Sequence, residues 1–146
     1  MHTLPIALLV SALLCGAAQA KDGASDRLGK STEQYAKCLD NALGNFAKEA
    51  EAQAAARRIS AEMLRNIRLI VTQERTKPNP TTTFWLETLG EEALVGYLFK
   101  SFSDVSEEYR AERQGLEKRN NFDWRRTQQQ LWNKYGCDAI YSQIAR

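Results

Sequence analysis

Apolar residues along this chain recur every three or four positions and seldom alternate, which is the periodicity of helices and not of strands. Tyr35, Leu39, Ala42, Phe46, Ala50 and Ala54 form the first such stripe. It stands behind Ser31-Thr32-Glu33-Gln34, which reads as a capping box with Ser31 at the N-cap and Gln34 three residues on. A second stripe, Ala56, Ile59, Met63, Ile67 and Ile70, is centred about 110° further round the same helical projection. One helix across residues 32–75 would be about 65 Å long, too long for a compact domain of this size. A break or sharp kink is therefore expected near Arg57-Arg58, with Ser60 capping a new helix.

Lys77-Pro78-Asn79-Pro80-Thr81-Thr82-Thr83 reads as a loop, because proline biases its predecessor away from the helical region and Thr83 can cap a new helix. The most apolar stretch, residues 84–102, comes next and is expected to be the central helix, using Leu86, Leu89, Ala93, Tyr97 and Phe102, widened by Leu94, Leu98 and Phe99. Gly90 is a natural break point in it. Ser103-Asp104 can cap a further helix through Tyr109 and Leu116, which should be largely solvated because charges of both signs alternate over residues 110–119. Asn120-Asn121 marks a turn, Asn121 or Asp123 a cap, and Trp124, Leu131 and Tyr135 a last helix that stops at Gly136. Cys137, Ile140, Tyr141 and Ile144 add a short final stripe. The expectation is an all-α fold, a small helical bundle of four or five helices.

The start of the chain has a different pattern. Residues 4–18 are an apolar run of signal-peptide length, leading into Ala18-Gln19-Ala20 and the charged Lys21-Asp22. The n-region holds no Lys or Arg, only the amino terminus and His2. Lipid attachment at Cys15 is disfavoured by the bulky Leu14 before it, and the run is short of the ~20 residues that span a bilayer. The expected organisation is a signal peptide over 1–20 cleaved after Ala20, a polar, flexible lead-in over 21–30, and a single helical domain over 31–146. Localisation is then periplasmic or secreted, with no transmembrane anchor after cleavage.

Export changes the meaning of the cysteines. Cys38 and Cys137 are the two that remain beyond Cys15, and in an oxidising compartment they most simply pair with each other. Such a disulfide would clamp the first helix to the last and stabilise the fold by up to ~4–5 kcal/mol on the chain-entropy model.

Composition then removes most catalytic classes. The single histidine is His2, inside the segment expected to be cut away, so no imidazole is left for a nucleophile triad, a zinc site or proton transfer. The eight glycines are dispersed, without a phosphate-cradling loop. No cysteine cluster of metal-ligand spacing and no calcium loop is present, so neither a metal nor a cofactor is expected. Carboxylate chemistry is the enzymatic route left, with Glu91-Glu92 and Glu107-Glu108 as adjacent pairs; helical neighbours point about 100° apart, so neither pair converges by itself. A net charge of +2 from 20 basic and 18 acidic side chains gives no general field for nucleic acid.

Two binding features stand out. Arg57, Arg58, Arg65, Arg68 and Arg75 lie broadly opposite the Met63–Ile67 face, and arginine suits bidentate recognition of carboxylate or phosphate. The bland reading of that stripe is a solvated face paired to Glu62 and Glu74. The second is aromatic: Phe84-Trp85 at a loop–helix junction, with Trp124 and Trp132 near the C-terminal end, all of which could equally be core. The expectation is a non-enzymatic, exported protein-binding module that blocks or escorts another protein of the envelope, of inhibitor or immunity type. The alternatives are an envelope structural or assembly component binding anionic lipid or glycan through the arginine stripe, and a carboxylate-based hydrolase.

Overall fold

The computed structural model describes residues 23–76 and 80–145, and every regular element among them is an α-helix. The elements are α1 (Ala24–Asn45), α2 (Glu49–Thr76), α3 (Pro80–Leu89), α4 (Glu91–Ser103), α5 (Glu107–Arg119), α6 (Trp124–Lys134) and α7 (Cys137–Ile144). The expected cleavage site after Ala20, His2, Cys15 and the beginning of the proline loop, 77–79, lie outside the described residues. The all-α bundle stands. It has more helices than the four or five expected because glycines at Gly90 and Gly136, with φ of 78° and 64°, separate α3 from α4 and α6 from α7.

Helix α1 begins well before the anticipated cap. Gly23 is its N-cap, and Ser31 lies mid-helix, where its hydroxyl accepts a hydrogen bond from Asn66 Nδ2 of α2 at 3.4 Å. The polar residues 24–30 are helical because tertiary contacts hold them: Leu28 packs on the core, Gly29 is buried, and Ser25 Oγ donates to Gln73 Oε1 at 2.8 Å. Burial on one face outweighs weak local propensity.

The break expected near Arg57-Arg58 occurs instead at residues 46–48, and α2 then runs unbroken for 28 residues. The two apolar stripes differ in phase because they belong to two antiparallel helices. Ala50 and Ala54, which the periodicity groups with the first stripe, are exposed on α2. The last turn of α1 explains the position of the break. A Cβ at Gly44 would stand 2.1 Å from Gln128 Oε1 and 2.5 Å from Gln128 Cβ, so only glycine lets α6 approach there. Phe46 then leaves the helix in an extended conformation and places its ring edge-on to Trp132 and Tyr141, 5.6 Å from each centroid.

Two apolar clusters result. In one, Leu94, Val95, Leu98 and Phe102 of α4 meet Ala36 of α1 and Met63, Ile67, Ile70 and Val71 of α2. Leu89 and Ala93, expected in that face, point to solvent. In the other, Trp132 is fully buried with Ala42, Ile59, Cys38 and Cys137. Cys38 and Cys137 are disulfide-bonded, with Cα atoms 5.5 Å apart, tying α1 to α7 as the cysteine count implied.

Polar contacts also tie α5 and α6 to α1, beside the apolar seat of Trp132 on Ala42 and Cys38. Tyr109 is buried; its hydroxyl donates to Asp40 Oδ2 and accepts from Asn41 Nδ2, both at 2.7 Å. Arg113 Nη1 donates to Asp40 Oδ2 at 2.8 Å while its Nε reaches Glu117 Oε1 at 3.1 Å. Gln128 Nε2 donates to the Asp40 carbonyl at 3.2 Å and Gln34 Nε2 to the Tyr135 carbonyl at 3.2 Å, so α6 runs antiparallel to α1.

Candidate functional site

The five arginines of the predicted stripe are exposed along α2, and the fold pairs most of them. Arg65 meets Glu62 at 2.6 Å one turn away. Arg68 reaches across to α4 and holds both carboxylate oxygens of Glu92, at 2.6 and 2.9 Å. Arg75 likewise takes Glu91 at 2.6 Å. Arg57 donates to Gln53 Oε1 at 3.4 Å, and Arg58 lies 6.0 Å from the centroid of the Tyr141 ring. A bidentate guanidinium–carboxylate fork leaves few donors for an outside anion. Two of the five, Arg68 and Arg75, line the seam between α2 and α4.

The same pairs change the reading of the acids. The hydrogen bond from Arg68 holds the Glu92 carboxyl below the usual carboxylate range; desolvation opposes it, and the charge of Arg68 adds a smaller lowering. Glu107 and Glu108 occupy the first turn of α5, where the helix dipole favours them. The N-cap there is Ser106, accepting from the Tyr109 amide at 3.3 Å, and not the expected Ser103-Asp104. Further acids are also engaged. Lys134 and the Tyr135 hydroxyl both donate to Glu112, the latter at 2.7 Å, and together they hold its carboxyl low. Burial pushes the Tyr109 hydroxyl up, with Asp40 adding to it; burial and Glu112 push that of Tyr135 up to about 12. These groups are arranged to hold protons and helices in place. Among the described residues no cluster of His, Cys, Asp and Glu has the arrangement of a metal site.

The aromatic residues separate into core and surface. Trp132 is core at 0% exposure. Trp85 is half-buried: it packs on the α2–α4 cluster and stacks on Tyr97 at 6.0 Å with an interplanar angle of 11°. Its neighbour Phe84 sits edge-on to it at 5.7 Å and is 58% exposed. Helix α3 starts at Pro80 and not after Thr83, so both rings project from a formed helix with proline in its first turn. Phe84 is thus the outermost of three rings whose inner members are anchored.

Periodicity does not mark a second aromatic pair. The turn between α5 and α6 exposes Phe122 to 73% and Trp124 to 52%, although the apolar spacing places Trp124 in the core. The turn closes α5 by a Schellman motif, the Phe122 amide donating to the Glu117 carbonyl at 2.7 Å and the Asn121 amide to the Lys118 carbonyl at 3.3 Å. Asn121 and Phe122 both take positive φ, 51° and 60°. The Asp123 carboxylate accepts from the Arg126 amide at 3.0 Å and caps α6 as expected. Lys118, Arg119, Arg125 and Arg126 flank the turn; none makes an ion pair with a described residue, and Arg125 lies 5.8 Å from the Trp124 ring centroid. Asn120-Asn121 is the available signal for the turn, but nothing in the pattern marks the ring after it as exposed.

These two aromatic sites stand at opposite ends of the α1–α2 hairpin. The Ser25–Gln73 contact puts the end of α2, and the α3 beyond it, beside the start of α1; the close approach of Gln128 to Gly44 puts the start of α6 beside its end. Helix α1, about 30 Å long at 1.5 Å per residue, runs between them. Comparison with protein-family models, with curated proteins and with solved structures found no match to this chain.

Proposed function

We propose that this chain is an exported, periplasmic protein-binding module that blocks or escorts a partner in the cell envelope, as an inhibitor or immunity-type protein does against an envelope-targeted enzyme. The observation that carries it is the exposed Phe84 on its stacked base of Trp85 and Tyr97. An aromatic ring seated on an anchored ring loses little freedom on docking, and such a ring contributes most when a partner's pocket desolvates it. The binding residue shifts accordingly from Trp85 to Phe84, with Trp85 as its support.

The proposal has no acid–base chemistry. A carboxylate held ionised by an arginine fork, as Glu92 is, makes a poor proton donor near neutral pH. The arginine stripe has a smaller part in it than the sequence suggested, since Arg65, Arg68 and Arg75 already hold carboxylates.

The test starts with capture of the partner from envelope extract by the exported protein. Phe84→Ala should weaken that complex by about tenfold or more while leaving the thermal midpoint nearly unchanged. Glu91→Gln, Glu92→Gln, Glu107→Gln and Glu108→Gln should each preserve function; a loss of several orders of magnitude in one folded variant would establish catalysis instead. The mass of the exported protein should begin at Lys21, and a start at Met1 would remove the export reading.

A further inference from the structure

The Asn120–Asp123 turn combines three features that folding does not account for. Phe122 is a bulky residue in the left-handed region, a strained conformation for a residue with a Cβ and one ordinarily taken by Gly or Asn. It is also the most exposed large apolar side chain among the described residues. No burial offsets the backbone strain. Arg125 and Arg126 stand in the first turn of α6, where the helix dipole disfavours cations; the adjacent acid, the N-cap Asp123, accepts from the Arg126 amide and forms an ion pair with neither guanidinium. Lys118 and Arg119 in the last turn of α5 are favourably placed with respect to their own dipole, but they bring the local cations to four with no carboxylate partner among the described residues.

We propose that this turn is a membrane-contact tip: Phe122 and Trp124 enter the headgroup region of an anionic phospholipid bilayer, and Lys118, Arg119, Arg125 and Arg126 meet the lipid phosphates. Aromatic rings settle at the membrane–water interface, and basic side chains beside them are attracted by an anionic surface, each contributing about fivefold in affinity. Shape favours a bilayer over an acidic protein. A stable protein complex buries about 800 Å² on each side with matched contours, whereas a convex turn of a few residues offers two rings and a ring of charge. A bilayer deforms around such a tip and needs no complementary pocket. The tip is held firmly for this, because Gln128 seats α6 against Gly44 and Asp40, and Arg113 with Tyr109 seats α5 against the same stretch of α1. With Phe84 at the far end of the hairpin, the protein-binding end would face away from the bilayer.

The experiment is co-sedimentation of the full chain with vesicles of phosphatidylglycerol and phosphatidylcholine in equal parts, beside vesicles of phosphatidylcholine alone. Residues 4–18 are in every sample, so the quantity read is the difference between variants. The parent should bind the anionic vesicles more strongly, and added salt should weaken that binding. Phe122→Gly should reduce it by about tenfold without lowering the thermal midpoint, since glycine accepts the left-handed conformation. The combined Lys118→Gln, Arg119→Gln, Arg125→Gln and Arg126→Gln variant should bind both kinds of vesicle alike. Equal binding of the parent to both vesicles, or variants that sediment as the parent does, would overturn the proposal. So would a parent that ignores vesicles but cross-links through the tip to an acidic protein, which would make the turn a second protein contact.

Discussion

Two places in this molecule carry a Phe and a Trp beside a loop, and the fold treats them differently. At the start of α3, Trp85 turns inward onto Tyr97 and leaves Phe84 as one supported ring. At the start of α6, Phe122 and Trp124 stay exposed, at 73% and 52%, and the backbone is strained at Phe122. Their charges differ in the same way. The arginines of the α2–α4 seam near the first pair are matched by Glu91 and Glu92, while the four cations around the second are unmatched among the described residues. Residue type is alike at the two ends; partnering separates them. A supported ring in neutralised surroundings suits a shaped protein pocket, and an unsupported pair in a basic collar suits an anionic surface.

The largest effect expected concerns what both ends share. The disulfide closes a separation of 99 residues and joins α1, which runs between the two aromatic sites, to α7. Replacing Cys38 and Cys137 together by Ala should lower unfolding free energy by up to ~4–5 kcal/mol. Denaturant unfolding should show both ends lost in one transition; two separated transitions would mean that the ends are independent units.

The next test bears on the first end alone. Trp85→Ala should cost about 2–3 kcal/mol, below the range for a fully buried ring because Trp85 is half-buried, while Phe84→Ala costs less than about 1 kcal/mol. Leu94→Ala, which empties a buried site on α4, should cost about 2–5 kcal/mol and serves as the core standard. Thermal unfolding of the three variants decides the order. If Phe84→Ala unfolds the domain as severely as Trp85→Ala, Phe84 is structural and the supported-ring description fails.

At the second end the sign should reverse. Phe122→Gly removes left-handed strain and gives up no buried contact, so stability should rise by up to ~1 kcal/mol, partly offset by the freedom glycine adds to the unfolded chain. A clear loss of stability would show that the ring packs in solution. Charge removal sharpens the same contrast. Arg68→Gln breaks an exposed, solvent-screened fork and should lower the thermal midpoint only slightly, whereas Arg125→Gln should be neutral or mildly stabilising.

The smallest effect is a pH dependence. Tyr135 keeps its proton more firmly when folded, its pKa pushed up to about 12 by burial and by the Glu112 carboxylate. A pKa raised by folding contributes stability that is complete below the unfolded value, near 10, and is lost as pH rises through the folded one. The thermal midpoint of the parent should therefore fall more steeply than that of Tyr135→Phe between pH about 10 and about 12, and parallel curves would remove the coupling. The proton of Glu112 works in the opposite direction: its lowered pKa contributes stability above the unfolded value, and that part is lost in acid.

Much of the framework was readable from residue pattern. The helical periods, the disulfide, the glycine break at Gly90, the Asn120-Asn121 turn and the Asp123 cap each rest on local chemistry that one segment carries by itself. The errors share one cause. Ser31 resembles a cap but faces Asn66, and residues 24–30 look polar but are held by Leu28 and Gln73. The break expected at Arg57-Arg58 lies at residues 46–48, where Phe46 leaves the helix to set its ring against Trp132 and Tyr141, far along the chain. Each depends on a neighbour distant in sequence, which no local pattern encodes.

The candidate sites divide along the same line. Apolar spacing, proline, glycine and cysteine act within a few residues or through a covalent bond, so the sequence by itself determined an all-α chain closed by Cys38–Cys137. Whether a side chain is spare is a property of the whole fold. Arg68 and Arg125 are equally basic in the sequence, but α4 brings Glu92 to the first and nothing comparable to the second. Trp85, Trp124 and Trp132 are equally apolar, but their burial depends on which helix lies over them. Only the tertiary structure decided that, because burial and ion pairing are relations between segments, made when helices far apart in the chain are packed together.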